Sequence, residues 1–337
     1  MKKIGLMGCG AVANYGHIPA ILNVKELKLH AIFDPFEKNL LAMQKKYGIP
    51  NAFTDPEKFF KSGIEAVSIT SPAPCHRQNV LDAARYKMPV ICEKPLAMDR
   101  KESMEMIRVM KKAKLPLYTG FCYRFSPCAL KIRELLKKKA IGDVRSLRLI
   151  YNWDCHGKYE LDGKGKRIIQ KRREDRMLEG GPMVDCGTHQ IDLAMFWLNS
   201  EIVSYHGYGA WVDKYEAPDH VWLHMDHANG AHTMVEISYS YHFTSKHKSK
   251  EFVYELIGTD GVIRYDREAE SFIMRNSNGT FKFEFHHEKN FEGVYKEWAK
   301  SLHTGKSELL TTAEAGMKVT DIAREATNEA IRNRKGN

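Results

Sequence analysis

A short apolar segment interrupted by glycines constrains the fold of this chain more than any other feature. The apolar residues that start at Ile4 predict a β-strand, the pattern breaks at Gly8 and Gly10, and residues 11–22 predict a helix. Gly8 permits a tight turn, and Gly10 lets a phosphate group approach the backbone. The small side chain of Ala13 suits the third position of such a motif, where helix and strand pack closely. Because a helix start favours negative charge, the pattern predicts a dinucleotide site.

An acidic residue at the end of the next apolar run narrows the choice of cofactor. Residues 27–33 predict a second strand that ends at Asp34, which lies 21 positions after Ala13. A carboxylate at about this spacing accepts a hydrogen bond from a ribose 2′-OH and repels a 2′-phosphate. No arginine immediately follows Asp34, so the sequence favours NAD over NADP. The alternative is a glycine turn in an ordinary α/β domain.

Composition bounds the class of protein. The chain has 337 residues, 43% hydrophobic and 28% charged, which suits two folded domains and excludes global disorder. No apolar run approaches the roughly 20 residues of a membrane span. The net charge of +10 comes from scattered lysines without a nucleic-acid-binding motif. We therefore expect neither a nucleic-acid nor a membrane partner. Seven cysteines without a Cys-x-x-Cys pair favour the reducing cytoplasm.

The pattern of elements changes along the chain and predicts two domains. Strands alternate with helices up to residue 122, which is typical of a doubly wound parallel Rossmann sheet. From residue 123 the pattern predicts an α+β domain with a large, mostly antiparallel open sheet, whose uncovered face is available to solvent or a second subunit. We accordingly divide the chain into residues 1–122 and 123–337, with the C-terminal helix as a candidate to pack back on the first domain.

A lysine follows the predicted strand over residues 90–92 of the first domain. Pro95 keeps Lys94 extended at the end of the strand over residues 90–92. Because ligands of parallel sheets bind at the carboxyl ends of strands, Gly10, Asp34 and Lys94 should converge there, together with Ser71. An ammonium at this edge can hydrogen-bond a substrate hydroxyl and stabilise developing negative charge on its oxygen. The alternative is a surface lysine in a turn.

A second candidate site lies in the predicted helix over residues 182–198. Asp185 and His189 are four positions apart and would share one helix face. Histidine can take a proton from an alcohol near neutral pH, and a neighbouring carboxylate can orient substrate or base. Gly187 inside a helix suggests that another group approaches closely there. The alternative is an Asp–His pair that only satisfies itself on a helix surface.

Two further segments invite other interpretations. A hairpin contains His220, His224, His227 and His232, but its histidines lie along one strand pair without a cysteine, so no metal site is predicted. We expect polar surface residues or substrate contacts instead. Residues 155–179 are polar and basic, and we predict a loop excursion of unassigned role.

The motifs together resemble the Gfo/Idh/MocA family, which includes glucose–fructose oxidoreductase and inositol dehydrogenase-like proteins. The resemblance covers nearly the whole chain and depends on the order and spacing of its marks rather than on any one of them. The marks are Gly8-Cys9-Gly10-Ala11-Val12-Ala13, His17-Ile18-Pro19-Ala20, Ser71-Pro72, His76, Glu93-Lys94-Pro95-Leu96, Tyr123-Arg124-Phe125-Ser126-Pro127, Gly180-Gly181, Asp185-x-x-x-His189-x-x-Asp192 and Gly258-Thr259-Asp260-Gly261.

The resemblance implies specific roles for residues of this chain. Lys94, Asp185 and His189 match the family's catalytic residues, and the substrate site would comprise these three with Tyr123 and Trp153. The Lys94–Pro95 bond is often cis in this family, and the open sheet usually forms a homodimer or homotetramer. The implied cofactor site comprises Gly8, Cys9, Gly10, Ala11, Val12, Asp34, Ser71, Pro72, His76, Glu93, Lys94 and Arg124.

The resemblance also indicates a reaction. The expected chemistry is hydride transfer between a nicotinamide and a secondary alcohol carbon of a sugar, cyclitol or related polyol. His189 would be the general base, Lys94 would polarise the reacting oxygen, and Asp185 would bind an adjacent hydroxyl and orient His189. Two alternatives remain open: a glycoside-processing enzyme that retains NAD, and a non-catalytic NAD-binding regulator.

Overall fold

A computed structural model describes residues 1–153, 159–161, 164, 166–169, 171–241, 247 and 249–335. The strands, in chain order, are β1 (Lys2–Met7), β2 (Leu27–Phe33), β3 (Asn51–Phe53), β4 (Ala66–Ile69), β5 (Val90–Cys92), β6 (Leu117–Thr119), β7 (Val144–Asn152), β8 (Tyr159–Leu161), β9 (Arg167–Ile169), β10 (Ile202–Ala210), β11 (His220–His227), β12 (His232–Ser238), β13 (Glu251–Gly258), β14 (Gly261–Asp266), β15 (Ser271–Asn276), β16 (Gly279–Lys282) and β17 (Thr311–Thr312). The α-helices are α1 (Ile18–Asn23), α2 (Glu37–Tyr47), α3 (Pro56–Phe60), α4 (Ala73–Arg85), α5 (Arg100–Lys112), α6 (Pro127–Lys137), α7 (Lys171–Leu178), α8 (Thr188–Leu198), α9 (Phe291–Thr304) and α10 (Ala313–Lys335).

The chain divides into two compact units. The first comprises Met1–Phe125 and Lys289–Thr320, and the second comprises Ser126–Glu288 and the residues from Asp321 onward. Residues 289–320, which the sequence division assigned to the second domain, thus pack with the N-terminal residues. Their burial gives the reason: Tyr295 and Trp298 of α9 are within the core, and β17 pairs with β6.

The first unit contains the predicted parallel sheet. Its strand order is β17-β6-β5-β4-β1-β2-β3, and every neighbouring pair is parallel except the edge pair of β17 and β6. The order reverses beside β1, as in doubly wound nucleotide-binding sheets. β4 is buried along its whole length, because helices cover both faces of such a sheet.

Helix starts in the first unit follow the chemistry of their sequences. The side chain of Asp55 accepts hydrogen bonds from the N–H groups of Glu57 and Lys58, so it caps α3. Asp99 caps α5 by accepting from the N–H of Glu102. The Glu102 carboxylate in turn accepts the N–H of Met98, one residue before the position that a capping box uses.

The second unit contains the predicted mostly antiparallel sheet. Its order is β10-β11-β12-β7-β13-β14-β15-β16, and only β12 and β7 are parallel. Alternate residues of β11 are buried, while those that include His220, Trp222 and His224 are partly exposed on the other face. α6 and α8 pack together, and α8 contacts β7 and β12. One sheet face is therefore covered within the unit.

The basic segment differs from the predicted loop. β8 and β9 form an antiparallel pair, and α7 occupies residues 171–178. α7 escapes the sequence pattern because it is almost entirely polar, although Arg173 and Met177 on one of its faces are buried. Within this segment, residues 155–158, 162, 163, 165 and 170 lie outside the described part of the chain. In the helices that the structure describes, none combines the length and apolar character needed to cross a bilayer.

Candidate active site

The glycine turn after β1 has the geometry that the motif predicts. Gly8 has φ +100°, and a Cβ on it would lie 2.5 Å from the backbone N of Ser71, so no other residue fits. A Cβ on Gly10 would meet nothing within 4 Å, so the backbone there is open to a ligand. The chain is helical from Ala11 to Asn23, including a π-helical turn over Ala13–His17. Ala11 is exposed and Val12 is half-buried beside this opening. The cradle suits a phosphate.

Asp34 lies against the glycine turn at the end of β2. Its Oδ2 accepts the N–H of Cys9 at 2.7 Å, and its Oδ1 accepts the N–H of Phe36 at 2.9 Å. A carboxylate has about four acceptor sites, so these two bonds leave capacity for a ribose hydroxyl. The arrangement fits the predicted cofactor role, and the two bonds fix the orientation of the carboxylate.

Cys9 contributes its backbone rather than its thiol. Its side chain is buried, with Sγ 3.8 Å from the carbonyl oxygen of Phe33. Burial, with a smaller effect from Asp34, raises the pKa of the Cys9 thiol to about 12. The thiol therefore stays protonated at neutral pH.

His76 joins the loop after β4 to the turn after β5. Its Nε2 lies 2.8 Å from the carbonyl oxygen of Ser71, and its Nδ1 lies 3.0 Å from that of Pro95. Burial lowers the pKa of His76 in spite of these carbonyl contacts. The side chain of Ser71 accepts a bond from Asn79 and Pro72 is exposed, so His76 is the buried member of this predicted group.

The residues after β5 form a turn with a cis Lys94–Pro95 bond. The Glu93 carboxylate is buried, with Oε1 3.0 Å from Nε2 of His17 and Oε2 accepting the N–H of Lys94 at 3.2 Å. Burial by itself raises the pKa of Glu93, but the contact with His17 and the nearby positive charge of Lys94 lower the pKa overall. Lys94 itself is partly exposed.

Two further predicted residues lie in the 3₁₀ turn Cys122–Phe125 of the first unit. Both Tyr123 and Arg124 are buried. Nη1 of Arg124 donates to the carbonyl oxygen of Leu309 at 3.4 Å. The structure thus ties Arg124 to the segment that precedes β17.

In the second unit, Asp185 and His189 lie on one continuous helical stretch. Asp185 is in a π-helical turn over Met183–Gly187, and His189 is in the first turn of α8. A Cβ on Gly187 would clash with Met183 and lie 3.4 Å from Ile237, which explains the glycine. The extra residue of a π turn is common at functional sites. The spacing of residues in the sequence predicts only a regular helix here.

Two residues that sequence reasoning missed hold the Asp185 carboxylate. Tyr239 donates its hydroxyl to Oδ2 at 2.5 Å. Nε of Arg176 lies 3.8 Å from the same oxygen, and Arg176 also pairs with Glu179. Burial acts to lower the pKa of Arg176, but the two carboxylates raise it overall, so the guanidinium stays charged. Only the basic character of residues 155–179 signalled Arg176, and nothing local signalled Tyr239.

Trp153 lies near this group of residues. It packs, with Cys186, against the buried cluster of Met177, Ala217 and Tyr239, and its ring stacks on Tyr151 at a centroid distance of 5.1 Å. Of the predicted substrate residues in the second unit, Asp185 and His189 lie on one helical stretch, and Trp153 packs beside it.

The histidines of the β11–β12 hairpin contact neighbouring polar side chains. His232 pairs with Asp226 at 2.7 Å and lies 3.1 Å from His224, while His220 pairs with Glu236 at 3.1 Å. His227 is buried and contacts the hydroxyl of Thr233. Among the residues that the structure describes, no three His, Cys, Asp or Glu side chains are grouped so as to hold a metal ion.

Family models match most of the chain. A model described as an oxidoreductase family with an NAD-binding Rossmann fold (GFO_IDH_MocA) matches residues 2–121. A model of the GFO/IDH/MocA C-terminal domain matches residues 129–264.

Individual proteins are similar over different lengths. D-apiose dehydrogenase of Rhizobium rhizogenes is 27% identical over 78% of this chain and 72% of that protein. Myo-inositol 2-dehydrogenase of Thermotoga maritima is 28% identical over 59% of this chain, and the match spans only 56% of that protein. A crystal structure of an Agrobacterium radiobacter oxidoreductase in complex with NAD⁺, L-tartaric acid and magnesium has a TM-score of 0.83 at 22% identity, covering 99% of this chain and 97% of that one.

Proposed function

Because this chain belongs to the Gfo/Idh/MocA family of oxidoreductases, with its NAD-binding Rossmann domain and its C-terminal domain both present, we propose that it is a sugar or polyol dehydrogenase or reductase. The proposed reaction transfers a hydride between nicotinamide and a secondary alcohol or ketone carbon of a sugar, cyclitol or related polyol. The dehydrogenases of D-apiose and myo-inositol among its relatives support this substrate class.

One observation carries the proposal: Lys94 follows β5 at the same sheet edge as the glycine turn and Asp34. The strands β2, β1, β4 and β5 are adjacent and parallel, so their carboxyl ends form one edge. Ligands of such sheets bind at this edge. Asp34 also supports NAD over NADP, since its carboxylate would repel a 2′-phosphate.

Each proposed catalytic residue has a separate task. The bound nicotinamide supplies the hydride acceptor or donor. The ammonium of Lys94 hydrogen-bonds the reacting oxygen and stabilises negative charge that develops on it. His189 takes the hydroxyl proton, and Asp185 binds an adjacent hydroxyl and orients His189. The hydrogen bond from Tyr239 keeps the Asp185 carboxylate in one orientation. Tyr123 and Trp153 are the remaining proposed substrate contacts.

The test begins with the cofactor and then the substrate. NAD and NADP are titrated against the purified protein by calorimetry, and a polyol and sugar panel is followed at the absorbance of NADH. Lys94→Ala and His189→Ala should each lower kcat by about 10²–10⁴-fold while the Kd for NAD changes less than about threefold. Lys101→Ala, which removes an exposed lysine of α5, is the matched control.

The outcomes separate the alternatives. Turnover unchanged by Lys94→Ala would contradict the assignment. Conversion of a glycoside without net NADH formation would instead indicate the NAD-retaining glycoside-processing reaction, and NAD binding without any turnover would indicate a regulator. We further propose a homodimer or homotetramer formed through the open sheet of the second unit, which sedimentation would measure, and the cytoplasm as the compartment.

A further inference from the structure

The carboxylate of Glu93 is directed into the core of the first unit. Its two oxygens contact Nε2 of His17 and the backbone N–H of Lys94, at 3.0 and 3.2 Å. From this geometry we infer that His17 and Glu93 are positioning residues, which fix the turn that carries Lys94 and supply a buried negative charge beside it. The inference rests on the proposed role of Lys94. It gives Glu93 a task other than the cofactor contact expected from sequence.

A chain of hydrogen bonds holds His17 from its other side. Nδ1 of His17 lies 2.7 Å from the hydroxyl of Tyr295, which lies 2.6 Å from Oγ of Ser68. Ser68 can donate to Tyr295 and Tyr295 to Nδ1, which leaves the proton of the neutral ring on Nε2, 3.0 Å from Oε1 of Glu93. In that arrangement Nδ1 of His17 accepts a hydrogen bond and Nε2 is in close polar contact with Glu93, which keeps its charge. The chain links β4, α9, the first π-helical turn and the end of β5.

The packing around these hydrogen bonds restricts the side chains of both His17 and Glu93. The rings of Phe291 and Tyr295 pack edge-on against His17, at centroid distances of 4.9 and 5.8 Å. A Cβ on Gly120 would lie 3.1 Å from Oε1 of Glu93, a contact that glycine avoids. Close packing therefore fixes the carboxylate in one position, and its bond to the Lys94 N–H fixes the backbone there.

The negative charge of Glu93 also affects the pH at which Lys94 loses its proton. The carboxylate of Glu93 and the ammonium of the adjacent Lys94 interact electrostatically, and burial of the carboxylate reduces screening by solvent. Removal of the carboxylate should therefore make the lysine lose its proton at a lower pH. The titratable groups that interact with Glu93 are His17, Lys94, His76, Cys92 and Tyr295.

The experiment measures Lys94 without relying on turnover. Reductive methylation of Lys94 is followed by peptide mass spectrometry across pH in the full-length protein, for the wild type, Glu93→Gln and His17→Gln. In Glu93→Gln the methylation profile, and the alkaline limb of kcat/KM, should shift to lower pH by about one unit. Glu65→Gln is the matched control, because Glu65 also accepts a backbone N–H, from Lys3, elsewhere in the same unit. It should leave both profiles unchanged.

The result for His17→Gln should be a smaller shift in the same direction, with kcat lowered about tenfold and the Kd for NAD retained. Tyr295→Phe keeps the ring packing and removes only the hydroxyl. It therefore tests the hydrogen bonds to His17 even if His17→Gln folds poorly. Methylation profiles that overlay the wild type in Glu93→Gln and Tyr295→Phe would overturn the inference. A shifted profile in a protein without turnover on any polyol would instead leave the inference standing and refute the proposed function.

Discussion

Both units contain a π-helical turn that includes a glycine, and the two turns present their polar residues differently. In the first, Ala13–His17, the imidazole of His17 is enclosed by Tyr295 and Glu93 of the same unit. In the second, Met183–Gly187, the Asp185 carboxylate is held by Tyr239 and remains partly exposed, with 14% of its side chain accessible. The same helix distortion can thus bury a polar side chain or leave one partly exposed. The partners that surround the turn decide which.

The glycines of the two turns also differ in what they allow. A Cβ on Gly16 would lie 2.8 Å from the ring of Phe291, a rigid aromatic side chain of α9. A Cβ on Gly187 would meet mainly Met183, whose thioether side chain is flexible. The first turn is therefore the more tightly constrained by packing.

The largest effect should come from the carboxylate of the second turn. Asp185→Asn removes the charge that Tyr239 and Arg176 stabilise, and we expect kcat/KM to fall by about 10²–10⁴-fold with the melting temperature nearly unchanged. Steady-state kinetics and thermal unfolding measure the two quantities. Asp226→Asn, on the hairpin, is the control. A variant that retains full kcat/KM would show that the Asp185 carboxylate neither binds the substrate nor orients His189.

The glycines provide a stability test of the same comparison. Gly16→Ala forces Phe291 to move and should cost about 1–3 kcal/mol, whereas Gly187→Ala should cost less because Met183 can change rotamer. Thermal unfolding of both variants measures the difference. If Gly187→Ala is the more destabilising change, the first turn is not the more constrained one.

A smaller effect is expected in the pH dependence of stability at the first turn. The pKa of Glu93 is lowered on folding, so its contribution should be complete above the ordinary glutamate pKa of about 4.3 and disappear as pH falls below that value. The melting temperatures of wild type and Glu93→Gln should therefore differ at pH 6 and converge toward pH 3. A difference that grows on acidification would indicate that Glu93 is protonated in the folded protein.

The smallest expected effect is a difference in alkylation rate between two cysteines, one beside each candidate site. Cys9, in the glycine turn, is buried with a raised pKa, whereas Cys186, in the second π turn, is partly exposed. Alkylation at pH 8, followed by mass spectrometry, should modify Cys186 at least about tenfold faster than Cys9. Exposed Cys75 serves as the positive control. Equal rates would show that the glycine turn opens as readily as the second site.

The sequence alone determined the Rossmann domain, the edge at which Gly8, Asp34 and Lys94 lie, and the antiparallel character of the second sheet. Each of these depends on patterns within a few residues: a glycine that only a tight turn explains, an acid at the end of a strand, and alternation along strands. Such patterns are local, so neither packing nor partners are needed to detect them. The extra residue in each π turn was not predicted, because hydrophobic spacing does not distinguish a π turn from a regular helix turn.

Tertiary structure alone decided the partners of the buried polar groups. His17 and Tyr295 are 278 positions apart and meet because α9 returns to the first unit. Tyr239 reaches Asp185 from the end of β12, and Arg176 reaches it from a polar helix without a hydrophobic pattern. A buried charge or imidazole takes the partner that packing brings within about 3 Å. The sequence contains these residues, but only the folded chain determines which of them meet.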